Sequence, residues 1–340
     1  MLQKSSGPIS GLKKTAEKPS PFDRGEALSL YRKLRLARQA ESSIRREYSK
    51  DEMKTPVHLG IGQEAIPVGV CHALPPESKL FGTYRNHALY LAWTGDTDGF
   101  FGELYGRVTG PGKGKAGSMH IALPEKGLMA TSAVVGTTIP VAVGMALAHQ
   151  YQKRKDWVAV FFGDGAVEEG VFWESMNFAC LHRLRILFVC EDNGLAIHTA
   201  TAQRQGFRSI SEILAGFRCQ VMEGDGSDLV GVVERTRQLM RKMEEEGQPG
   251  FLHLSYFRFL EHVGPLEDFD KGYRRRPTAE EMERLDPVNH YEKWLLRQGV
   301  RAEELSVVQE EVRRQVDLSI QAAQAAPFPG PDELHTDLFA

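Results

Sequence analysis

Two short segments of the sequence carry residues that could hold a phosphate group through a metal ion. They are Gly163-Asp164-Gly165-Ala166 and Asp192-Asn193-Gly194; each follows an apolar run, and Asn193 lies 29 residues after Asp164. The Asp164 carboxylate and the Asn193 side-chain carbonyl are hard oxygen donors suited to magnesium, an ion that takes few protein ligands and shares itself with phosphates. Gly165 and Ala166 would offer backbone N–H groups at a helix start to phosphate oxygens, and glycine lets that backbone come close. The chemistry indicated is capture of a diphosphate through a divalent cation.

The elements around these segments must bring both to one edge. Residues 157–162 form a continuous apolar run, the pattern of a strand buried on both faces; residues 167–184 have helical period; residues 185–191 form a second such run. Strand, loop, helix, strand is a βαβ unit. Its two strands are predicted to be parallel neighbours, with both loops at the carboxyl edge where ligands bind to open α/β sheets. A second Gly-Asp-Gly, at Gly224-Asp225-Gly226, serves as an internal control. The next asparagine is Asn289, and no buried strand delivers an oxygen ligand at the right interval, so this copy reads as a tight turn.

Composition bounds the rest. The 340 residues include 42 basic and 45 acidic side chains, a formal charge of −3, which gives no bulk electrostatic case for binding nucleic acid or a membrane surface. With 41% hydrophobic and 26% charged residues the chain can bury a sizeable core. Cys71, Cys180, Cys190 and Cys219 are widely spaced without any CxxC pair, which fits buried thiols in a reducing compartment. No apolar stretch approaches a membrane span, and the polar N-terminus has no secretory h-region, so a cytoplasmic protein is expected.

Residues 1–22 read as a flexible tail, 23–330 as one α/β domain with C-terminal helices, and 331–340 as a C-terminal tail. Asp23 is placed to cap a helix carrying Leu28, Leu30, Tyr31, Leu34 and Leu36. Residues 106–117 are expected to be an extended loop, and its lysines lack the register of a nucleotide-binding P-loop. Residues 141–148 form a small-residue helix, with Gly144 and Ala148 on one face suited to close packing. Residues 251–259 read as a strand and 268–283 as an exposed charged loop entering a helix. Leu305, Val308, Val312, Val316 and Ile320 mark a last amphipathic helix facing the core. Arg274–Arg276 lie among acidic residues, which favours a solvated surface or a subunit contact. His72, His149, His182 and His253 are given no role; His87 and His120 could face a ligand channel or be structural.

The Gly-Asp-Gly, helix, strand, Asn pattern resembles the thiamine diphosphate fingerprint. The likeness continues through His58–Ala65 (HLGIGQEA), Thr83–His87 (TYRNH), Gly114–His120 (GKAGSMH), Val135–Pro140 (VGTTIP) and Asp286-Pro287. In that order, from about Glu26 to about Gly330, these segments resemble the alpha subunit of the first, decarboxylating component of 2-oxo acid dehydrogenase complexes. The resemblance implies a thiamine diphosphate-binding fold, a central parallel sheet flanked by helices. It implies magnesium bound by Asp164, Asn193 and the Leu195 carbonyl. It implies a cofactor held by Tyr84, Arg85, Val135, Asp164, Gly165, Ala166, Asn193 and His262, with His58 and His262 as active-site histidines.

The resemblance further implies a 2-oxo acid (or acetoin) as substrate and a lipoyl-bearing acyltransferase component as acyl acceptor. A beta subunit would supply the pyrimidine-binding domain and the activating Glu, as an α2β2 assembly, because only one nucleotide-type core is evident here and Glu64 reads as structural. Three positions depart from the family pattern: Asp192 stands where Asn is usual, Ala133 where many members have Gly, and Val263 where regulated animal members carry a phosphorylatable Ser. Phosphorylation at that last position is not expected. Two other readings stay open: half of a split non-oxidative thiamine diphosphate enzyme, such as a transketolase-like or simple decarboxylase pair, and a cofactor-binding scaffold without activity.

Overall fold

The computed structural model describes residues 20–337. The expected N-terminal tail lies almost wholly outside the described residues, and order is evident by Phe22, which is buried edge-on against the rings of His72 and Trp294. Asp23 caps the first helix as its type predicts, its carboxylate accepting from the Glu26 N–H at 2.8 Å.

In chain order the elements are α1 (Arg24–Glu47), α2 (Ala65–Ala73), β1 (Lys79–Thr83), α3 (His87–Thr94), α4 (Thr97–Leu104) and β2 (Leu128–Ser132). Then come α5 (Thr138–Tyr151), β3 (Val158–Gly163), α6 (Gly170–His182), β4 (Ile186–Asp192), the short hairpin β5 (Leu195–Ala196) and β6 (Thr199–Ala200), and α7 (Thr201–Arg204). The chain ends through α8 (Ile210–Leu214), β7 (Gln220–Asp225), α9 (Leu229–Glu246), β8 (Gly250–Ser255), α10 (Ala279–Leu285), α11 (Pro287–Arg297) and α12 (Ala302–Ala325).

Six strands form one parallel sheet in the order β2-β1-β3-β4-β8-β7. The βαβ unit is as expected, with Val160 opposite Phe188 and Gly163 opposite Glu191. Because successive side chains on a strand alternate faces, β3 sends Ala159 and Phe161 to one side and Val158, Val160 and Phe162 to the other. Among the described residues the first face is covered by α1, α2, α3, α4, α9, α11 and α12, and the second by α5, α6 and α8. Leu305, Val312, Val316 and Ile320 of α12 are buried, so that stripe is core.

The thin side has a consequence. An added Cβ at Gly144 meets nothing within 4 Å, so the small face expected of α5 is turned outward. On the helices of this side Val141, Tyr151 and Leu181 are 56%, 80% and 65% exposed.

Three expectations are corrected. Residues 268–283 are not exposed throughout: Asp270–Gly272, Arg275 and Arg276 sit outside as expected, the last two paired with Glu281 and Glu267, but Asp268 is buried between Arg258 and Arg274. The strand read at 251–259 ends at Ser255, after which the chain turns into the cleft. Residues 331–337 pack as a turn whose Glu333 and Asp337 pair with Lys113 and Lys115 of the 106–117 loop.

Candidate active site

The chain runs from β1 outward to β2 and then returns to β3 on the other flank of β1, so the crevice between β1 and β3 is a topological switch point. A cavity of about 280 Å³ opens there at the carboxyl ends, at the low end of the range for ligand pockets. Tyr84 and Arg85 follow β1, Val135 and Gly136 follow β2, Gly163 ends β3 and Asp164–Ala166 follow it, Asn193 and Leu195 follow β4, and Tyr256 follows β8. His262 enters from the loop beyond β8. Nine of the ten sequence-predicted residues line the cavity: Tyr84, Arg85, Val135, Asp164, Gly165, Ala166, Asn193, Leu195 and His262. The tenth, His58, stands just behind, its ring 4.4 Å from that of Tyr84 and 5.2 Å from that of His262.

Asp164 begins a short 3-10 turn at the end of β3 and is buried. Burial, and then the charge of Asp192, pushes its carboxyl up to about 7; Arg204 opposes that rise by pairing with it. Asn193 is 3.4 Å through its backbone N–H from Asp164 Oδ1, and its side-chain N–H donates to the Tyr256 hydroxyl at 3.1 Å. That bond turns the Asn193 amide so that its oxygen faces away from Tyr256. A Cβ on Gly165 would stand 3.1 Å from the Ala196 Cβ, so glycine leaves the cradle more open against β5. Asp192, the unusual carboxylate, does not line the cavity. It accepts from the Gly194 N–H at 2.7 Å and meets His253 Nε2 at 2.7 Å, so it shapes the turn carrying Asn193.

Arg85 organises the two histidines. Its guanidinium donates to the carbonyls of Leu59 and His262, each at 3.0 Å, and to His262 Nδ1 at 3.1 Å. Because Arg has no acceptor, Nδ1 must accept, and the neutral His262 ring carries its proton on Nε2. Burial first, and Arg85 second, push His58 down to about 3 and His262 down to about 4. Both rings are therefore expected to keep neutral-form NMR shifts from pH 8 down to about 5 in the isolated chain. A midpoint near 6.5 for either would contradict this placement.

The other motifs brace this arrangement. His87 lies in a buried chain, Ser118 Oγ to His87 Nε2 at 2.6 Å and His87 Nδ1 to Glu41 at 3.2 Å; Glu41 also accepts from the Gly60 N–H at 2.8 Å. That joins the 58–65, 83–87 and 114–120 segments and makes His87 structural, while His120 is exposed and does not line the cavity. The Glu103 carboxylate gathers the glycine-rich loop by accepting from Gly112 and Ala116 at 2.7 Å and Gly117 at 3.1 Å. Glu64 is taken by Arg38 and the Gly62 N–H, and Arg38 in turn binds Asp286, which accounts for both motifs without chemistry. The second Gly-Asp-Gly is the expected turn, Asp225 accepting from Ser227 at 2.8 Å.

Sequence reasoning assigned no role to Gln63, Glu191, Tyr256 or Arg204. Gln63 and Glu191 line the cavity, and each keeps one buried oxygen without a hydrogen-bond partner. Both lie in or beside segments singled out above, so their position was a usable signal; Arg204 had none.

Comparison with known proteins places the chain in a family. The sequence model of the family described as dehydrogenase E1 component matches residues 32–332. The alpha subunit of acetoin:2,6-dichlorophenolindophenol oxidoreductase from Cupriavidus necator is 32% identical over 321 residues, 94% of this chain and 96% of that one. The pyruvate dehydrogenase E1 component subunit alpha from Zymomonas mobilis is 33% identical over 319 residues, covering 93% and 89%. With a family match over nearly the whole described chain and relatives aligned end to end, the chain belongs to the dehydrogenase E1 component family.

Proposed function

We propose that the chain is the alpha subunit of a thiamine diphosphate-dependent dehydrogenase that decarboxylates a 2-oxo acid, or cleaves acetoin, and passes the acyl group to a lipoyl carrier. The observation that carries this reading is the convergence of Tyr84, Arg85, Asp164, Gly165, Asn193 and His262, from distant segments, on one cavity at the switch point.

The residues fit the cofactor and its ion. Among the described residues no three His, Cys, Asp or Glu side chains gather as a protein-only metal cage. Magnesium at Asp164, the Asn193 side chain and the Leu195 carbonyl would need phosphate oxygens and water to complete it, which is how that ion is commonly held. Arg204, paired with Asp164, already marks the place as one that takes a cation. Gly165 and Ala166 would offer N–H groups to the diphosphate, and Val135 would support the rings. Bound there, thiamine diphosphate supplies a carbon nucleophile and an electron sink for cleaving a bond beside a carbonyl. Neutral His58 and His262 can accept or donate a proton, and the His262 Nε2–H suits a developing oxyanion.

A beta subunit completes the site. The acid of the 58–65 segment, Glu64, is already bound by Arg38 and Gly62, so it is not free to act on the cofactor rings. Val135 and Ile197 on the cavity wall are 43% and 56% exposed, and their neighbours Val134 and Val263 expose 61% and 47%, an apolar rim fit for a protein partner. An α2β2 assembly and a lipoyl-bearing acyltransferase component follow from the same reading. Among the described residues no helix is long and apolar enough to cross a membrane.

The test mixes the chain with its beta subunit, thiamine diphosphate, magnesium and a lipoylated domain, and offers pyruvate, branched-chain 2-oxo acids and acetoin in turn. Substrate-dependent acylation of the lipoyl group is expected. Release of free aldehyde or ketol transfer, with the lipoyl group untouched, would favour the non-oxidative alternative.

A further inference from the structure

Arg204 stands where the proposed function puts a metal ion. It closes α7, directly after the β5–β6 hairpin, and its side chain is only 9% exposed because it points back beneath that hairpin. Its guanidinium fork spans two carboxylates: one terminal nitrogen donates to Asp164 and the other to Glu168. The remaining donors are also used, Nε on the Thr199 carbonyl at 3.2 Å and Nη2 on the Thr201 hydroxyl at 3.1 Å. Gln205 adds a second tie from the same segment to Glu168, at 3.0 Å. Arg85, the arginine that lines the cavity, is committed to Leu59 and His262.

A buried carboxylate among other acids needs a countercharge. Asp164 has Asp192, Glu168 and Glu191 around it, and Arg204 is the cation paired with it. A divalent ion at Asp164 needs the oxygen that Arg204 holds, and the two cations would repel at contact distance. They are therefore alternatives.

We propose that Arg204 is a resident cation of the metal seat: it holds Asp164 until a divalent ion takes its place, and it latches the 195–205 segment over the seat while it does so. This rests on the metal assignment of Asp164 made above. Once displaced, the fork keeps Glu168 and is free to pair with the diphosphate, whose oxygens suit a planar guanidinium. Metal and cofactor thereby load together, because a metal ion alone must displace Arg204 without offering it a new anionic partner.

The test is a manganese titration of the full chain without thiamine diphosphate, followed by the electron paramagnetic resonance signal of free Mn²⁺. A seat closed about nine-tenths of the time weakens apparent affinity about tenfold, so Arg204→Ala is expected to bind Mn²⁺ about tenfold more tightly than the wild type. Millimolar guanidinium chloride should return the Arg204→Ala affinity toward the wild-type value, which a merely structural role would not produce. Arg204→Lys keeps the charge but not the fork, and should bind a few-fold more tightly; it serves as the readout if the alanine variant does not fold. Affinity no greater than wild type in the folded variants overturns the exchange. Asp164→Ala separates the two ideas: if it abolishes Mn²⁺ binding while Arg204 variants change nothing, only the exchange fails. If Asp164→Ala leaves binding intact, the metal assignment fails with it.

Discussion

Asp164→Ala is expected to abolish magnesium-dependent binding of thiamine diphosphate, a loss of roughly a hundredfold or more, while the fold is retained. Disturbing a residue that merely supports a metal ligand costs about 10- to 100-fold, so removing the carboxylate ligand itself should cost at least the upper figure. The fold survives because this carboxylate is a burden to the chain alone. Its ordinary value is 3.8, and burial with the nearby Asp192 charge raises it to about 7. A carboxyl whose folded-state value is raised stabilises the fold below its unfolded value, and that contribution is lost as pH climbs from about 4 through about 7. At pH 8 the ionised Asp164 is therefore a net cost, and Arg204 keeps Glu168 and the Thr199 carbonyl when it is removed. Calorimetric titration of the cofactor with magnesium, beside thermal unfolding at pH 8, checks both halves. Unchanged cofactor affinity would sink the metal assignment.

The second large effect is one of stability, felt at the site through His262. Asp268 is 2% exposed and is the shared acid of Arg258, itself 1% exposed, and Arg274. Arg258 also donates to the carbonyls of Leu260 and Ile197, and Arg274 to those of Arg258 and Leu260, so the cluster fixes the loop from which His262 projects. Asp268→Ala leaves two guanidinium groups without their acid, and breaking a buried pair in this way costs about 3–5 kcal/mol. Chemical denaturation should show that loss, and the His262 ring should become more exposed and titrate nearer its ordinary value. A variant within about 1 kcal/mol of the wild type, the range of an exposed pair, would mean that the cluster does not anchor the loop.

The Asp268 loop also shows where reading the sequence fails. Residues 267–276 are so rich in charge that solvation was the natural expectation; it holds for Asp270, Lys271, Arg275 and Arg276, whereas Asp268 and Arg274 neutralise one another and are buried as a unit with Arg258. Sequence composition counts charges and does not see which ones meet. Arg204 escaped for a related reason: it reaches Asp164, 40 residues earlier, only because the β5–β6 hairpin reverses the chain. By contrast the βαβ unit was legible, since two uninterrupted apolar runs leave little but a doubly covered strand. Once β3 and β4 are parallel neighbours, Asp164 and Asn193 must share an edge.

Other elements were legible in principle. Leu229, Val232, Val233, Thr236, Leu239, Met240 and Met243 recur at helical spacing and are the buried face of α9. β1 and β7 are five and six residues long, and β7 is a half-exposed edge strand, so neither carries a strong apolar signal. The reading of α5 as a close-packing helix is not borne out at Gly144, where no neighbour approaches among the described residues. Gly144 faces outward, because small residues at helical spacing permit close packing without specifying that a neighbour is there.

That outward face, the apolar rim at the cavity and the commitment of Glu64 to Arg38 all bear on one claim, that this chain supplies half of an active site. The most direct measurement is decarboxylation of a 2-oxo acid, with thiamine diphosphate and magnesium, by the purified chain alone, by the purified beta subunit alone, and by the two mixed. Turnover is expected only in the mixture, rising with added beta subunit to a plateau at equal stoichiometry. Turnover by this chain alone at the rate of the mixture would contradict the claim.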